Sequence, residues 1–287
     1  MSAPAFLGEM AAGSRARVHA ARRARPEGAL AEEVRHLPEP PRLRLDASGF
    51  DVIAELKLRS PAAGRLGGSG GSGRSGANGD SLAWRVSAYA SGGAAAVSVL
   101  TEPSRFDGSL AHLAEASRAL APLGVPVMRK DFLVDPYQVL EARSAGAGGV
   151  LVIVRMLARA ELDALLDCAR GQGLFVLLEA FDEADLELVC ELAAAHAGST
   201  ELLVGVNCRD LTTLAVRRER LTELAPRLPA GVARVAESGI ASPADAGMAA
   251  AAGYQLALVG SALMASEDPA PLVAALLRAG RAAGGKR

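Results

Sequence analysis

Residues 125–154 read VPVMRKDFLVDPYQVLEARSAGAGGVLVIV: an apolar run, a segment with helical spacing, then a second apolar run. That is the pattern of one strand–helix–strand unit, and it recurs along the chain. Eight short apolar runs follow residue 50, at 51–57, 95–101, 125–131, 149–154, 174–180, 202–207, 233–239 and 256–262. Each precedes an Ala/Leu-rich segment of helical spacing, as at 161–169 and 182–195. The starts recur every 23–31 residues, apart from a longer first interval. Strand and helix alternating at that pitch predict an α/β fold with a parallel sheet. Eight units predict closure into a (β/α)8 TIM barrel rather than an open doubly wound sheet. No G-x-G-x-x-G with an acidic residue about 20 positions on follows the first run, so the dinucleotide fold lacks its phosphate fingerprint.

Composition fits that architecture. A chain of 287 residues suits one α/β barrel, so residues 1–287 are expected to form a single domain. Half the residues are apolar but only 3% are aromatic, so the core must be built from Ala, Leu and Val, as in helices packed on a buried parallel sheet. The net charge of −1 points to neither nucleic acid nor an anionic membrane. Cys168, Cys190 and Cys208 show no CxxC or metal spacing and read as reduced thiols of a cytoplasmic protein. No stretch has the apolar length of a membrane-spanning helix. Arg15, Arg17, Arg22, Arg23 and Arg25 give the N-terminus a slight likeness to a transit peptide, but an amphipathic helix is the expected form. Residues 1–46 then make a helical extension ahead of the barrel. Residues 67–79, GGSGGSGRSGANG, are expected to form a flexible loop after the first strand.

Barrel chemistry sits at the C-terminal ends of the strands. Those ends carry Glu55, Lys57 and Ser60 on the first strand, Lys130 on the third and Glu179 on the fifth. Asn207 and Arg209 follow on the sixth, Glu237, Ser238 and Gly239 on the seventh, and Gly260 and Ser261 on the eighth. Taken alone, Lys130 is either a reactive lysine at the mouth or a surface lysine one residue past the core, since burial disfavours its charged form. Glu55 and Glu179, inside apolar runs, are either members of structural ion pairs or acid–base groups. Two lysines and two carboxylates around one mouth compose a general acid–base site for an anion. Ser238-Gly239 and Gly260-Ser261 are either a phosphate cradle or ordinary turn chemistry. His19, His36, His112 and His196 fall in expected helices or connecting loops, so the chemistry must run on Lys and Glu.

Seven stretches resemble the indole-3-glycerol phosphate synthase family: VIAELKLRSP (52–61), SVLTEPSRFDGS (98–109), PVMRKDFLVDPYQVLEARSAGA (126–147), LLEA (177–180), VGVNCRDL (204–211), ESGI (237–240) and LVGSALM (258–264). They occur in order and touch every expected strand except the fourth. The resemblance implies a carboxy-lyase of tryptophan biosynthesis. Its substrate would be 1-(2-carboxyphenylamino)-1-deoxyribulose 5-phosphate, converted to indole-3-glycerol phosphate by ring closure, decarboxylation and dehydration. It implies Lys130 as general acid for ring closure and Lys57 as a second catalytic lysine near the phosphate. It implies Glu179 as general base and Glu55 as a carboxylate that orients the lysines or stabilises cationic intermediates. Ser60, Asn207 and Arg209 would hold the anthranilate portion, between apolar walls from Pro61, Phe132 and Leu151. Ser238, Gly239, Gly260 and Ser261 would cradle the phosphate. No metal or organic cofactor is implied. Other tryptophan-pathway enzymes are candidate partners, and a monomer is the default state.

The chain departs from the family pattern at Ala180-Phe181, where Val-His is common, at Cys208, where Asn is common, and in the long Gly/Ser loop. A glycine-rich loop has more conformational entropy to lose on closing over substrate, although the cost grows slowly with length. Replacing residues 67–79 by a short segment is therefore expected to raise kcat/KM; unchanged steady-state kinetics would contradict this. Three other readings compete. Phosphoribosylanthranilate isomerase would place a cysteine and an aspartate at strand ends, whereas here the first strand ends Glu-Leu-Lys. A thiazole-forming synthase is a second phosphate barrel. A non-catalytic paralogue is favoured only by the loop.

Overall fold

The computed structural model describes residues 3–47, 49–60, 64–65, 81–198, 200–211 and 213–284; the 67–79 segment lies outside them. Two helices, α1 (Ala3–Ala24) and α2 (Glu27–Arg35), precede the first strand. Then come β1 (Asp51–Leu56), α3 (Leu82–Ser91), β2 (Ala96–Leu100), α4 (Leu110–Leu120), β3 (Val127–Lys130), α5 (Pro136–Ser144), β4 (Gly149–Ile153) and α6 (Arg159–Gly171). The second half runs through β5 (Phe175–Ala180), α7 (Glu183–Ala195), β6 (Leu202–Asn207), α8 (Glu219–Leu224), β7 (Ala233–Glu237), α9 (Pro243–Ala251), β8 (Leu256–Val259) and α10 (Ala270–Gly284). Each strand pairs in parallel with the next, and β8 returns to pair with β1, closing the barrel. All eight expected strands are present, trimmed by a few residues at their ends. A short antiparallel ribbon, Arg59–Ser60 with Gly64–Arg65, follows β1 in the chain.

Strand alternation sorts the side chains. Val52, Ala54, Val97, Val99, Val150, Val152, Val176 and Leu178 face the helices in one apolar cluster. Ile53, Ala96, Met128, Leu151, Phe175, Leu177, Leu203, Val235, Leu256 and Leu258 fill the barrel interior in another. Small and large residues complement each other inside: a Cβ on Gly149 would lie 2.4 Å from the ring of Phe175, so glycine makes room for one of the few aromatics. Several helices begin with a polar cap that accepts an otherwise unpaired amide. Ser81, Ser109, Asp135, Asp182 and Ser242 accept from the N–H of Trp84, His112, Tyr137, Asp185 and Asp245. Each such cap contributes about 1 kcal/mol.

The N-terminal extension is helical as expected. In α1, Leu7, Met10, Ala11, Ser14 and Val18 are buried at i, i+3, i+4 spacing, an amphipathic stripe. Leu7 and Met10 join the barrel-interior cluster, while Val18 packs with Leu30 and Val34 of α2 and Tyr137 and Leu140 of α5. Arginines on the other face are paired: Arg22 with Asp135 and Arg15 with Glu161. Among the described residues, no helix is long and apolar enough to cross a membrane.

Candidate active site at the barrel mouth

In a barrel of this kind, alternate strands contribute the four side chains of one interior layer. The register of the odd strands places Glu55, Lys130, Glu179 and Glu237 in a single layer near the C-terminal end. The even-strand layer beneath holds Ser98, Leu151, Gly205 and Leu258. The layer above holds Leu100, Ile153, Asn207 and Gly260. One level of the interior is thus wholly ionisable, between two levels that are mostly apolar or small.

Lys130 is the hub. Its Nζ lies 3.1 Å from Glu55 Oε2 and donates to Glu237 Oε2 at 3.3 Å. Its side chain is 17% exposed, which rules out the surface reading. Period-two alternation sends its neighbours in the Arg-Lys-Asp-Phe motif the other way. Arg129 is buried behind the strand, bonding Thr101, Asp131, Glu141 and the Gln138 carbonyl. Asp131 accepts from Arg17 of α1 at 2.8 Å and caps the Phe132 amide. The motif therefore aims its lysine into the barrel and clamps the N-terminal helix over the mouth.

Glu55 serves both lysines. Lys57 Nζ lies 2.9 Å from Glu55 Oε1 and 3.3 Å from the Ser261 hydroxyl, to which it donates. The two readings of Glu55 are one: it is ion-paired and it lines the mouth. Gly260 creates the space, since a Cβ there would stand 2.3 Å from Glu55 Oε1. Burial alone would raise Glu55, but Lys57 and then Lys130 outweigh it and bring its pKa down to about 2. Burial opposes the charge on Lys130, yet Glu55, Glu237 and Glu179 together hold its pKa above the ordinary lysine value.

The other two carboxyls shift the opposite way. Glu179 is raised by burial, a shift eased by Lys130 and by a hydrogen bond from Asn207 Nδ2. Glu237 is pushed up to about 8 by burial and then by the nearby Glu179, despite Lys130. Glu237 Oε1 is buried without a hydrogen-bond partner among the described residues. A neutral carboxylic acid bears that at far lower cost than a carboxylate. Gly205 provides the room, as a Cβ there would lie 2.0 Å from that oxygen. These shifts favour an ionised Glu55 and a charged Lys130, and they favour the protonated form of Glu179 and Glu237.

These groups open into a cavity of about 320 Å³. Its lining brings together Lys57, Phe132, Leu151, Asn207, Arg209, Ser238, Gly239, Gly260 and Ser261, all expected from the sequence. Pro61 and the side chain of Ser60 lie outside what the structure describes. Asn207 is engaged on three sides: it donates to Glu179, and its Oδ1 accepts from the Arg209 amide at 2.9 Å and the Ser238 hydroxyl at 2.8 Å. Arg209 Nη1 donates to the Leu214 carbonyl, shaping the 209–216 loop over the mouth. Ser238 and Gly239 both have positive φ, 66° and 78°, a left-handed turn just after β7.

The layer holds three carboxylates, one more than the two expected. Glu237 adjoins Ser238-Gly239, whose turn chemistry obscures it in the sequence, and its period-two phase with Val235 is the signal that marks it as facing inward. Phe6 and Leu7 of α1 and Arg218 after the 209–216 loop also line the cavity. Phe6 meets Phe132 edge-on at 5.9 Å, so the leading helix forms part of the wall. Among the described residues, no group of three or more His, Cys, Asp or Glu side chains could hold a metal ion.

Solved structures similar to this chain include thiamine phosphate pyrophosphorylase from Pyrococcus furiosus (TM-score 0.55, 15% identity, covering 82% of this chain and 97% of that one). Another is 3-hexulose-6-phosphate synthase from Salmonella typhimurium (TM-score 0.56, 14% identity, 80% and 98%). At such identities they support the fold alone. Sequence relatives go further. An indole-3-glycerol phosphate synthase of Parafrankia sp. is 43% identical over 276 residues, 96% of each chain. One from Mycolicibacterium vanbaalenii is 40% identical over 282 residues, 98% of this chain and 96% of that one. The family's sequence model matches residues 7–276, a span that contains every charged group of the interior layer. With barrel, layer and relatives in agreement, the chain belongs to the indole-3-glycerol phosphate synthase family.

Proposed function

We propose that the cavity binds 1-(2-carboxyphenylamino)-1-deoxyribulose 5-phosphate and converts it to indole-3-glycerol phosphate with the Lys130 layer as its acid–base machinery. The observation that carries this is the contact of Lys130 with both Glu55 and Glu237, beneath an apolar wall and beside a Ser-Gly turn. In ring closure the aromatic carbon bearing the carboxylate attacks the ketone carbon. The ketone oxygen takes its proton from Lys130, and the positive charge left on the anilino nitrogen is stabilised by the surrounding carboxylates. Loss of CO₂ returns the bonding electrons to the ring and restores aromaticity. Dehydration then requires a base for the ring-adjacent proton, assigned to Glu179, and a cation at the departing hydroxyl, assigned to Lys57.

Proton supply follows from the electrostatics. A lysine held above its ordinary pKa gives up its proton only as the ketone oxygen becomes an alkoxide, a stronger base. Glu237, pushed up to about 8 and within hydrogen-bond distance, is matched to replenish Lys130 near neutral pH. Arg209 is assigned to the substrate carboxylate, with Phe132 and Leu151 against its ring. The same reading places the chain in the cytoplasm, where Cys168, Cys190 and Cys208 remain unpaired thiols, and treats it as a monomer.

The test is direct. Purified chain incubated with the ribulotide is expected to give indole fluorescence with release of CO₂; no product from wild type would favour a non-catalytic paralogue.

A further inference from the structure

We propose that Arg218 is a substrate-phosphate ligand and sets the preference of this pocket for a phosphorylated chain end. The proposal rests on the reading of the cavity given above. Arg218 lines the same cavity as Ser238, Gly239, Gly260 and Ser261, and it packs directly on the turn proposed to cradle the phosphate. A Cβ on Gly239 would stand 3.2 Å from Arg218 Cγ and 3.5 Å from its Nε. The guanidinium therefore stems from the edge of that cradle.

Its anchoring leaves the correct edge for an anion. Arg218 Nη1 donates to Asp245 Oδ1. The other oxygen of Asp245 accepts from the Ala241 amide at 3.0 Å, the Ser242 amide at 2.9 Å and the Ser242 hydroxyl at 2.8 Å. Asp245 is thus fixed at the start of α9 by three donors besides Arg218. A guanidinium has five donors in a planar fork, and one tether through Nη1 leaves the Nε/Nη2 edge for two oxygens of a phosphate.

Glu55 sits within ion-pair distance of both Lys57 and Lys130, while Asp245 pairs with Arg218 through Nη1 alone, so Arg218 is the one of these three cations that keeps a two-donor edge beside the cradle. Asp245 also takes up amides at the start of α9, a place where barrels often receive phosphate. Arg218, with 51% of its side chain exposed, is placed to meet the outer phosphate oxygens as substrate enters.

The experiment compares wild type, Arg218→Met and Arg218→Lys, using inorganic phosphate and the ribulotide. Loss of a bidentate, charge-assisted contact is expected to weaken phosphate binding in Arg218→Met by about tenfold or more, measured by calorimetry. KM for the ribulotide is expected to rise by a similar factor with kcat within about twofold, the signature of binding shared by ground and transition states. Arg218→Lys should recover part of the loss, since it restores charge without the fork. Melting midpoints should stay close, because a half-exposed ion pair contributes little. Phosphate affinity and KM both within twofold of wild type in Arg218→Met would overturn the proposal. Phosphate titration needs no turnover, so an Arg218-dependent phosphate site in a chain that makes no indole would refute the functional reading and leave this one standing.

Discussion

Lys130→Met is expected to lower kcat for indole formation by roughly 10³-fold or more, with the protein still folded. General acid–base participation is worth about 10²–10⁴ by itself, and the lost cation adds an electrostatic component. Two roles fail together in this variant. The proposed acid for the ketone oxygen is gone, and Glu179 and Glu237 lose the cation that partly offsets their burial. Both carboxyls then hold protons more tightly, so the proposed base is also disabled. Methionine keeps the apolar stem and leaves Glu55 paired with Lys57. Steady-state indole fluorescence at saturating substrate, with a thermal melt as the folding control, measures the effect. A kcat within tenfold of wild type would remove Lys130 from the chemistry.

Gly205→Ala is the second large effect, and it arises without replacing a charged residue. A Cβ at 205 would stand 2.0 Å from Glu237 Oε1, 3.0 Å from its Cδ and 3.1 Å from Leu177 Cδ1. Strand β6 is hydrogen-bonded on both sides, to β5 and β7, so its backbone has little freedom to retreat. The carboxyl must leave, and with it the Lys130–Glu237 contact. Overpacking of this kind costs about 1–3 kcal/mol, which is expected to lower the melting midpoint by several degrees. Turnover is expected to fall about 10- to 100-fold, in proportion to the proton supply assigned to Glu237. Gly171→Ala, at the open end of α6 with no heavy atom within 4 Å, is the control and should leave both quantities unchanged. Equal effects at the two glycines would argue against a specific place for Glu237.

The barrel was legible because a parallel strand buried on both faces must be apolar, so each strand announces itself as a run. Glu55 and Glu179 stood out because each interrupts such a run, and Lys130 because it closes one with a charge. Glu237 also closes a run, but it adjoins turn residues with their own explanation. What the sequence could not supply was the shear of the barrel, which decides that Glu55, Lys130, Glu179 and Glu237 share one level. Nor could the amphipathic pattern of α1 tell which surface receives it; that required seeing Arg17 reach Asp131 and Phe6 reach Phe132. The choice between ion pair and active site at Glu55 was open in the sequence because the same carboxylate does the pairing and lines the cavity.

The proposed chemistry depends on a division of charge within one layer: Glu55 ionised between two ammonium groups, and Glu237 holding a proton. A ¹³C NMR titration of the glutamate side-chain carboxyls, assigned through Glu55→Gln and Glu237→Gln, tests it most directly. The expected result is a Glu55 signal that stays ionised down to about pH 2 and a Glu237 signal whose midpoint lies at about 8, raised by burial and then by Glu179. The Glu237 midpoint should fall in Glu179→Gln. Three carboxyls titrating together near pH 4.5, the ordinary glutamate value, would contradict the account.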